Sequence, residues 1–90
     1  MAAIFDKTVS EIQPVGFDFA DDLATGETLS SVVATVPSGL TAVGSGTVSG
    51  TSVYQVVSGG TVDAIYRVVL IATSSLGYKY EGEVLVRIVH

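Results

Sequence analysis

The last third of the chain, residues 64–89, contains two runs rich in β-branched residues on either side of the turn-forming sequence Ser74-Ser75-Leu76-Gly77. Two such runs around a short turn predict one long β-hairpin. Residues 68–72 and 84–86 are apolar at consecutive positions, so both faces of the hairpin need cover. Because a small domain covers only one face well, we expect the other face to be available for contact with another chain.

The composition predicts a single all-β domain. The chain has 90 residues, which is near the lower end of what folds around one core. Val, Thr, Ser and Gly dominate, and this usage favours strands and turns over helices. Since the chain contains no cysteine, it has neither a disulfide framework nor a thiolate site. Burial and backbone pairing must therefore stabilise the fold.

The charge balance argues against nucleic acid as a partner. The net charge is −5, and the four basic residues, Lys7, Arg67, Lys79 and Arg87, are dispersed along the chain instead of clustered. The N-terminal residues lack the basic and long apolar regions of a secretory signal. No apolar run approaches the roughly 20 residues that span a bilayer. We therefore expect a protein that is made in a cytoplasm and binds neither nucleic acid nor membrane.

Turn signals divide the chain into strands. We expect residues 1–14 to form an extended N-terminal arm and residues 15–90 to form the β-sandwich. Turn-forming residues recur about every ten residues through the middle of the chain, which is typical of a sandwich or barrel. Residues 21–24 are expected to bend tightly, and the glycine-rich residues 44–46 to connect two short strands flexibly. The predicted strands are 15–19, 28–36, 40–43, 47–49, 52–57, 64–74 and 79–89.

Alternation along the terminal hairpin predicts which residues share a face. One face of the hairpin holds Tyr66, Val68, Leu70, Ala72, Tyr80, Gly82, Val84, Val86 and Ile88. The other face begins charged in the last strand and becomes apolar towards the C-terminus. A contact patch for a partner is predicted on this second face, at Val69, Ile71, Leu85 and Val89. Cover by the N-terminal arm is the alternative for the same residues.

Three features follow one another towards the end of the chain. Gly59-Gly60 is a glycine-rich bend, Tyr66 lies on the penultimate predicted strand, and residues 73–77 read T-S-S-L-G. In these features, including a T-S-x-x-G hairpin, the chain resembles bacterial and phage immunoglobulin-like domains. The resemblance implies an immunoglobulin-like β-sandwich of about seven antiparallel strands.

The front half carries three short motifs in order, D-F-A-D-D-L at residues 18–23, G-E-T-L at residues 26–29 and V-P-S-G-L at residues 36–40. In these motifs it is similar to a family of short virion proteins from tailed bacteriophages. Members carry a D-W-S-D-x-L bend, a G-(D/E)-T-I strand start and a P-x-G-L turn in the same order. Phe19 stands at the Trp position and Leu29 at the Ile position. The resemblance covers residues 5 to 89.

This resemblance implies a structural protein of the virion that attaches other proteins. The function it favours is an adaptor joining a fibre to the tail or neck, and a capsid decoration protein is the alternative. The expected partners are other virion proteins, with the chain present as a homo-oligomer or in many symmetric copies. We expect the arm to dock onto a neighbour through Ile4 and Phe5, by strand addition or hydrophobic anchoring.

The residue inventory offers no catalytic constellation and no cofactor site. The one histidine is His90 at the end of the chain, so no acid–base or nucleophilic group can be assembled. Asp18, Asp21, Asp22 and Glu27 form a carboxylate cluster, but their spacing fits no calcium loop, and a solvated bend is favoured. We therefore predict a protein that is not an enzyme and that holds no metal or cofactor.

The tyrosines provide an alternative function of another class, a carbohydrate-binding module used for adhesion. Tyr66 is expected to bury its ring and donate its hydroxyl to a backbone carbonyl, as in the tyrosine corner of immunoglobulin-type domains. Tyr78 and Tyr80, at the hairpin tip, are on alternate residues and are expected to share a face. These two are therefore the predicted contacts for a glycan or another partner.

Overall fold

The computed structural model of the chain describes residues 3–90. These residues form seven β-strands, joined by turns and without a helix. Consequently no helix in this part of the chain is long and apolar enough to cross a membrane. The strands are β1 (Ala3–Thr8), β2 (Gln13–Asp18), β3 (Leu29–Thr35), β4 (Leu40–Ser49), β5 (Ser52–Gly59), β6 (Ile65–Ser74) and β7 (Lys79–Val89).

The strands pair into two sheets. One sheet has four strands in the order β1-β7-β6-β3, and the other has three strands in the order β2-β5-β4. The predicted all-β fold of seven strands in a small sandwich is confirmed. The expectation that all strands are antiparallel is wrong for one pair, because β1 runs parallel to β7. The chain enters the four-stranded sheet three times, with β1, with β3 and with the β6–β7 hairpin, and its first and last strands run in the same direction.

The N-terminal segment is part of the sandwich over its described length. Residues 3–8, predicted to lie in the arm, pair with β7 from Ala3 opposite Val84 to Thr8 opposite Val89. Residues 1 and 2 lie outside the described residues. β2 begins before residue 15 and includes Pro14, which is tolerated because β2 is an edge strand. The division of the chain into an arm and a domain at residue 14 stays a prediction.

β4 is one continuous strand where two short strands were predicted. It is irregular between Val43 and Thr47, where the register with β5 shifts. The buried side chain of Gln55 donates its amide hydrogens to the carbonyl oxygens of Val43 and Gly44, at 3.4 and 3.1 Å. These hydrogen bonds satisfy carbonyl groups that the irregular ladder leaves open, so the glycine-rich segment remains in the strand.

The core lies between the inner faces of the two sheets. The predicted inner face of the terminal hairpin is confirmed, since the hairpin side chains on that side are fully or half buried. Gly82 of β7 lies under the ring of Phe17. A Cβ added at Gly82 would be only 2.7 Å from Cγ of Phe17, so this position has no room for a side chain. The buried apolar residues are Val15, Phe19, Leu29, Leu40, Val53, Val57, Val68, Leu70, Ala72, Val84, Val86 and Ile88.

The side chain of Lys7 joins the two sheets and is 1% exposed. Its ammonium group donates to the carbonyl oxygen of Thr8 at 2.7 Å and to that of Gly59, at the end of β5, at 2.6 Å. A third carbonyl oxygen, of Val9, lies 3.5 Å away. A buried ammonium is tolerated when carbonyl oxygens replace its water. Lys7 therefore ties the edge strand β1 to the opposite sheet.

Replacing Lys7 by Met tests this tie. The variant keeps an apolar side chain of similar length but removes the donors, so buried carbonyl oxygens lose their partner. We expect the free energy of unfolding in urea to fall by about 1–3 kcal/mol. Lys79→Met is the matched control, because Lys79 is exposed at the start of β7, and we expect a change within about 0.5 kcal/mol. An unchanged or raised stability of Lys7→Met would contradict the assigned role.

Candidate interaction surface

The outer face of the four-stranded sheet carries exposed or half-buried apolar side chains from all four strands. Ile4 lies directly opposite Leu85, so β1 adds an apolar residue to the face predicted from the hairpin. Ile4 and Ile65 are 65% and 61% exposed. Val33 of β3, also 65% exposed, lies opposite Ile71 on the same face. The apolar residues that β1, β6 and β7 contribute to this face are called the outer patch below, and they are Ile4, Ile65, Val69, Ile71, Leu85 and Val89.

Each of the four predicted hairpin residues lies in the outer patch. Val69, Ile71, Leu85 and Val89 are half-buried and point away from the core. The structure adds Ile65, which lies within the predicted strand 64–74 and shares the face of Val69 by alternation, but was not included in the predicted patch. Exposed apolar residues that adjoin one another across several strands are typical of contact surfaces between proteins.

Two cross-strand ion pairs neutralise the charges on the same face. The guanidinium group of Arg87 contacts both carboxylate oxygens of Asp6, at 2.9 and 3.0 Å. Its hydrogen bonds lower the pKa of the Asp6 carboxyl and raise the pKa of Arg87. Arg67 pairs with Glu83 through one contact, between Nε and Oε2. Lys79 and Glu81, one of each sign, lie on the same face, so this face carries no net charge and a neutral partner surface can approach the outer patch.

Ile4 and Phe5 point in opposite directions, because successive residues of a strand alternate between its faces. Ile4 belongs to the outer patch, whereas Phe5 is half-buried and packs against the core. Phe5 therefore anchors β1 to the sandwich, and Ile4 is the residue of the pair that a neighbour can reach.

Tyr78 and Tyr80 do not form a shared exposed platform. Tyr78 is 60% exposed and precedes β7. Tyr80 is half-buried, with its ring centroid 6.3 Å from that of Phe19, and its hydroxyl donates to the carboxylate of Glu27. The side chains differ because Tyr80 belongs to the inner side of β7, whereas Tyr78 is in the preceding turn.

The hydroxyl of Tyr66 accepts the backbone N–H of Thr61 at 3.0 Å. The sequence predicted that this hydroxyl donates to a backbone carbonyl, whereas in the structure it accepts from a backbone N–H. The ring of Tyr66 also lies against Gly39, where an added Cβ would be 3.0 Å from Cε1. Tyr66 thus joins the loop before β6 to the turn between β3 and β4, and it has a structural role.

The carboxylate cluster holds a loop in place between β2 and β3. Asp18 accepts hydrogen bonds from the backbone N–H of Ala20 and the hydroxyl of Thr51, at 2.9 and 2.8 Å. Asp21 and Asp22 are exposed in the tight bend that the sequence predicts. Within residues 3–90, no group of three acidic or histidine side chains is arranged to hold a metal ion.

Glu27 is buried, which corrects its expected place in a solvated bend. Its carboxylate accepts the N–H of Ala24 at 2.9 Å and the hydroxyl of Tyr80 at 3.0 Å. Hydrogen bonds from the Ser74 hydroxyl, the Ala24 N–H and the Tyr80 hydroxyl lower the pKa of Glu27. Burial and the Glu27 carboxylate raise the pKa of Tyr80. Glu27 thus links the loop to the terminal hairpin.

The fold and the surface define a small structural β-protein with a group of adjoining apolar residues on one sheet face. The family model of podophage GP4 fiber-tail adaptor protein gp77 matches residues 7–87. The chain therefore belongs to this family of phage fibre-tail adaptors. None of the curated proteins compared with the chain matches it.

This membership confirms the predicted function. The protein is a component of the virion and a structural adaptor between fibre and tail, with other virion proteins as its partners. The match supports the adaptor in preference to the capsid decoration protein that the motifs left open. It also gives no support to the alternative of a carbohydrate-binding module.

The environment of Glu27 predicts a pH dependence of stability. Because the folded-state pKa lies below the ordinary value of 4.5, the ionised carboxylate stabilises the fold above that value. This stabilisation is lost as the pH falls through the folded-state pKa. We expect Glu27→Gln to be less stable than the unsubstituted protein at about pH 7, with a smaller difference at about pH 3, in urea unfolding.

Glu81→Gln is the control for this comparison, because Glu81 is exposed on the same strand as Tyr80. Its stability relative to the unsubstituted protein should change little between the two pH values. A Glu27→Gln difference that is independent of pH would show that the carboxylate charge does not matter.

Proposed function

We propose that the adaptor binds one of its two virion partners, fibre or tail, through the outer patch. The observation that carries this proposal is the joining of exposed Ile4 with the apolar residues of the terminal hairpin across β1, β7 and β6. Burying such residues in an interface contributes free energy in proportion to the apolar area removed from water. The internal ion pairs on the same face restrict the choice of partner, since a partner with a large net charge gains little there.

Ile4 acts in this proposal as a hydrophobic anchor. Strand addition at the free edge of β1 is the other mode of docking for this segment. That edge carries the charged residues Asp6 and Lys7, and charged side chains oppose the addition of a further strand. The 65% exposure of Ile4 supports anchoring through its side chain.

The protein functions in this proposal by contact alone, without enzymatic activity and without binding nucleic acid. The family is structural, and the net charge of −5 would repel phosphate. The chain's one histidine is its last residue, His90. Nε2 of His90 lies 3.7 Å from Oδ1 of Asp63, and both side chains are exposed. A solvent-exposed pair of this kind lacks the burial and positioned partners that activate a catalytic group.

Serine substitutions at Ile4 and Ile65 test the outer patch. Both side chains are exposed, so we expect the fold to be kept. We expect the dissociation constant for either the fibre or the tail protein to rise about tenfold or more for each variant, the effect of removing a central apolar contact. Isothermal titration calorimetry with each purified partner gives the constants.

Leu76→Ser is the matched control, because Leu76 is 61% exposed in the β6–β7 turn and lies outside the outer patch. We expect it to bind both partners as the unsubstituted protein does. If Leu76→Ser lost binding while both isoleucine variants kept it, the interface would lie at the hairpin tip beside Tyr78 instead.

We further propose that the protein works in several copies, as a homo-oligomer or around a symmetric partner. Modest affinity per copy is then sufficient, because linked copies bind with a raised effective concentration. Light scattering of the protein with and without purified tail protein tests this. We expect an assembly containing several adaptor copies, and a complex with one adaptor copy per assembled tail particle would contradict the proposal.

A further inference from the structure

One side of the sandwich is open, between the edge strands β3 and β4. A groove of about 280 Å³ lies there, with Val32 and Ala34 of β3 on one side and Ala42 and Gly46 of β4 on the other. At one end of the groove, Gly46 packs directly against Val32. A Cβ added at Gly46 would lie only 2.8 Å from Cγ1 of Val32, so the two strands are in contact there. This groove is called the β3–β4 groove below.

The groove reaches the inner face of the three-stranded sheet. Ala42 pairs with Val57, so the two side chains lie on the same face of the sheet. Val57 is completely buried in the core, whereas Ala42 is exposed. An inward-pointing side chain that is exposed means that the two sheets do not cover each other here. Val32 and Ala34, on the inner side of β3, are only half-buried for the same reason.

A buried amide group forms part of the wall. Gln55 is 3% exposed, and its Nε2 donates to three backbone carbonyl oxygens, of Val43, Gly44 and Val56. No donor within residues 3–90 lies at hydrogen-bond distance from its Oε1, yet these residues contain no buried side-chain polar atom without a partner. Oε1 is therefore in contact with solvent, and the groove is the open space that Gln55 lines.

The chemistry of the wall selects the occupant. All the residues that line the groove are uncharged, so a charged group entering it would lose its water without compensation. The apolar lining can contact the apolar length of an inserted side chain, and the Gln55 carboxamide oxygen can accept a hydrogen bond from a donor at its tip. The volume suits one large side chain and is small for a separate ligand.

The rims of the groove are backbone. As an edge strand, β3 directs the N–H and C=O groups of alternate residues away from β6. β4 is the edge strand of the other sheet, and its free edge lies on the side away from β5. Unpaired backbone groups along a strand edge are satisfied by the backbone of an extended peptide. The occupant is thus a peptide segment that inserts one side chain between the two sheets.

We propose that the β3–β4 groove binds an uncharged, extended peptide segment of the second virion partner, with one inserted side chain completing the core. This inference rests on the proposed function, in which the outer patch binds the first partner. The patch residues on β6 adjoin β3, whereas Leu85 on β7 and Ile4 on β1 lie two and three strand spacings from β3, about 10 and 14 Å across the sheet. A partner bound at the β1–β7 end of the outer patch therefore leaves the groove free for a different protein, as an adaptor requires.

Ala42→Leu tests the groove by filling it with the protein's own side chain. Thr41→Leu is the matched control, because it adds an apolar side chain to the neighbouring residue, which points to the opposite face of β4. With purified fibre and tail proteins, we expect Ala42→Leu to weaken binding of one partner about tenfold or more, and Thr41→Leu to leave both constants within about twofold. Equal binding by the two variants would overturn the proposal.

Methyl NMR of the unsubstituted protein supplies a second test, which does not depend on whether Ala42→Leu folds. Overlapping peptides that cover the fibre and tail proteins are added in turn. We expect a neutral peptide to shift the methyl signals of Val32, Ala34 and Ala42 in a saturable way. No responding peptide, or a response confined to the outer patch, would overturn the proposal. If the groove methyl signals shifted with protein concentration in the absence of peptide, the occupant would be a second copy of the chain, and the proposal would also be overturned.

The two sets of variants separate the two proposals. Loss of one partner with Ile4→Ser and of the other with Ala42→Leu supports both. If only the isoleucine variants weaken binding, the outer patch stands and the groove proposal fails. If only Ala42→Leu weakens binding, the outer patch is not an interface and the groove remains one.

Discussion

The parallel pairing of β1 with β7 is the constraint on which the rest of the structure depends. It brings the first and last strands of the chain side by side, so that Ile4 joins Leu85 on the outer face. It also directs Lys7 inward, where the ammonium group replaces its water with backbone carbonyl oxygens, one of them from the opposite sheet. A single edge strand thus contributes both to the closure of the sandwich and to the surface available to a partner.

The motifs that carry the family resemblance have structural roles. In the bend after β2, Asp18 accepts hydrogen bonds from the loop, and Phe19 is buried. Glu27 of the strand-start motif is held by the terminal hairpin. In the turn after β3, Gly39 has a φ of 97°, which suits glycine, and lies against Tyr66. These motifs specify the sandwich and thereby identify the family, and the proposed contact surfaces use other residues.

An adaptor needs two contacts that do not exclude each other, and a small sandwich has few places for them. Its core uses the inner faces of both sheets, which leaves the outer faces, the strand edges and the loops. The two proposed contacts use an outer face and an edge: the outer patch lies across β1, β7 and β6, and the β3–β4 groove lies between the edge strands of the two sheets. In the proposal of several adaptor copies, modest affinity at each site is sufficient.

The sequence by itself determined the β class, the bounds of β7 and the two faces of the terminal hairpin, because alternation is a local property of a strand. It also identified the family through motifs at turns, where residue type and backbone geometry are tightly linked. Only the tertiary structure decided that Lys7 and Glu27 are buried, that Tyr80 is directed to the core and that Ala42 is exposed. Each of these depends on which strands and loops become neighbours, and that pairing joins residues far apart in the chain, such as Glu27 and Tyr80.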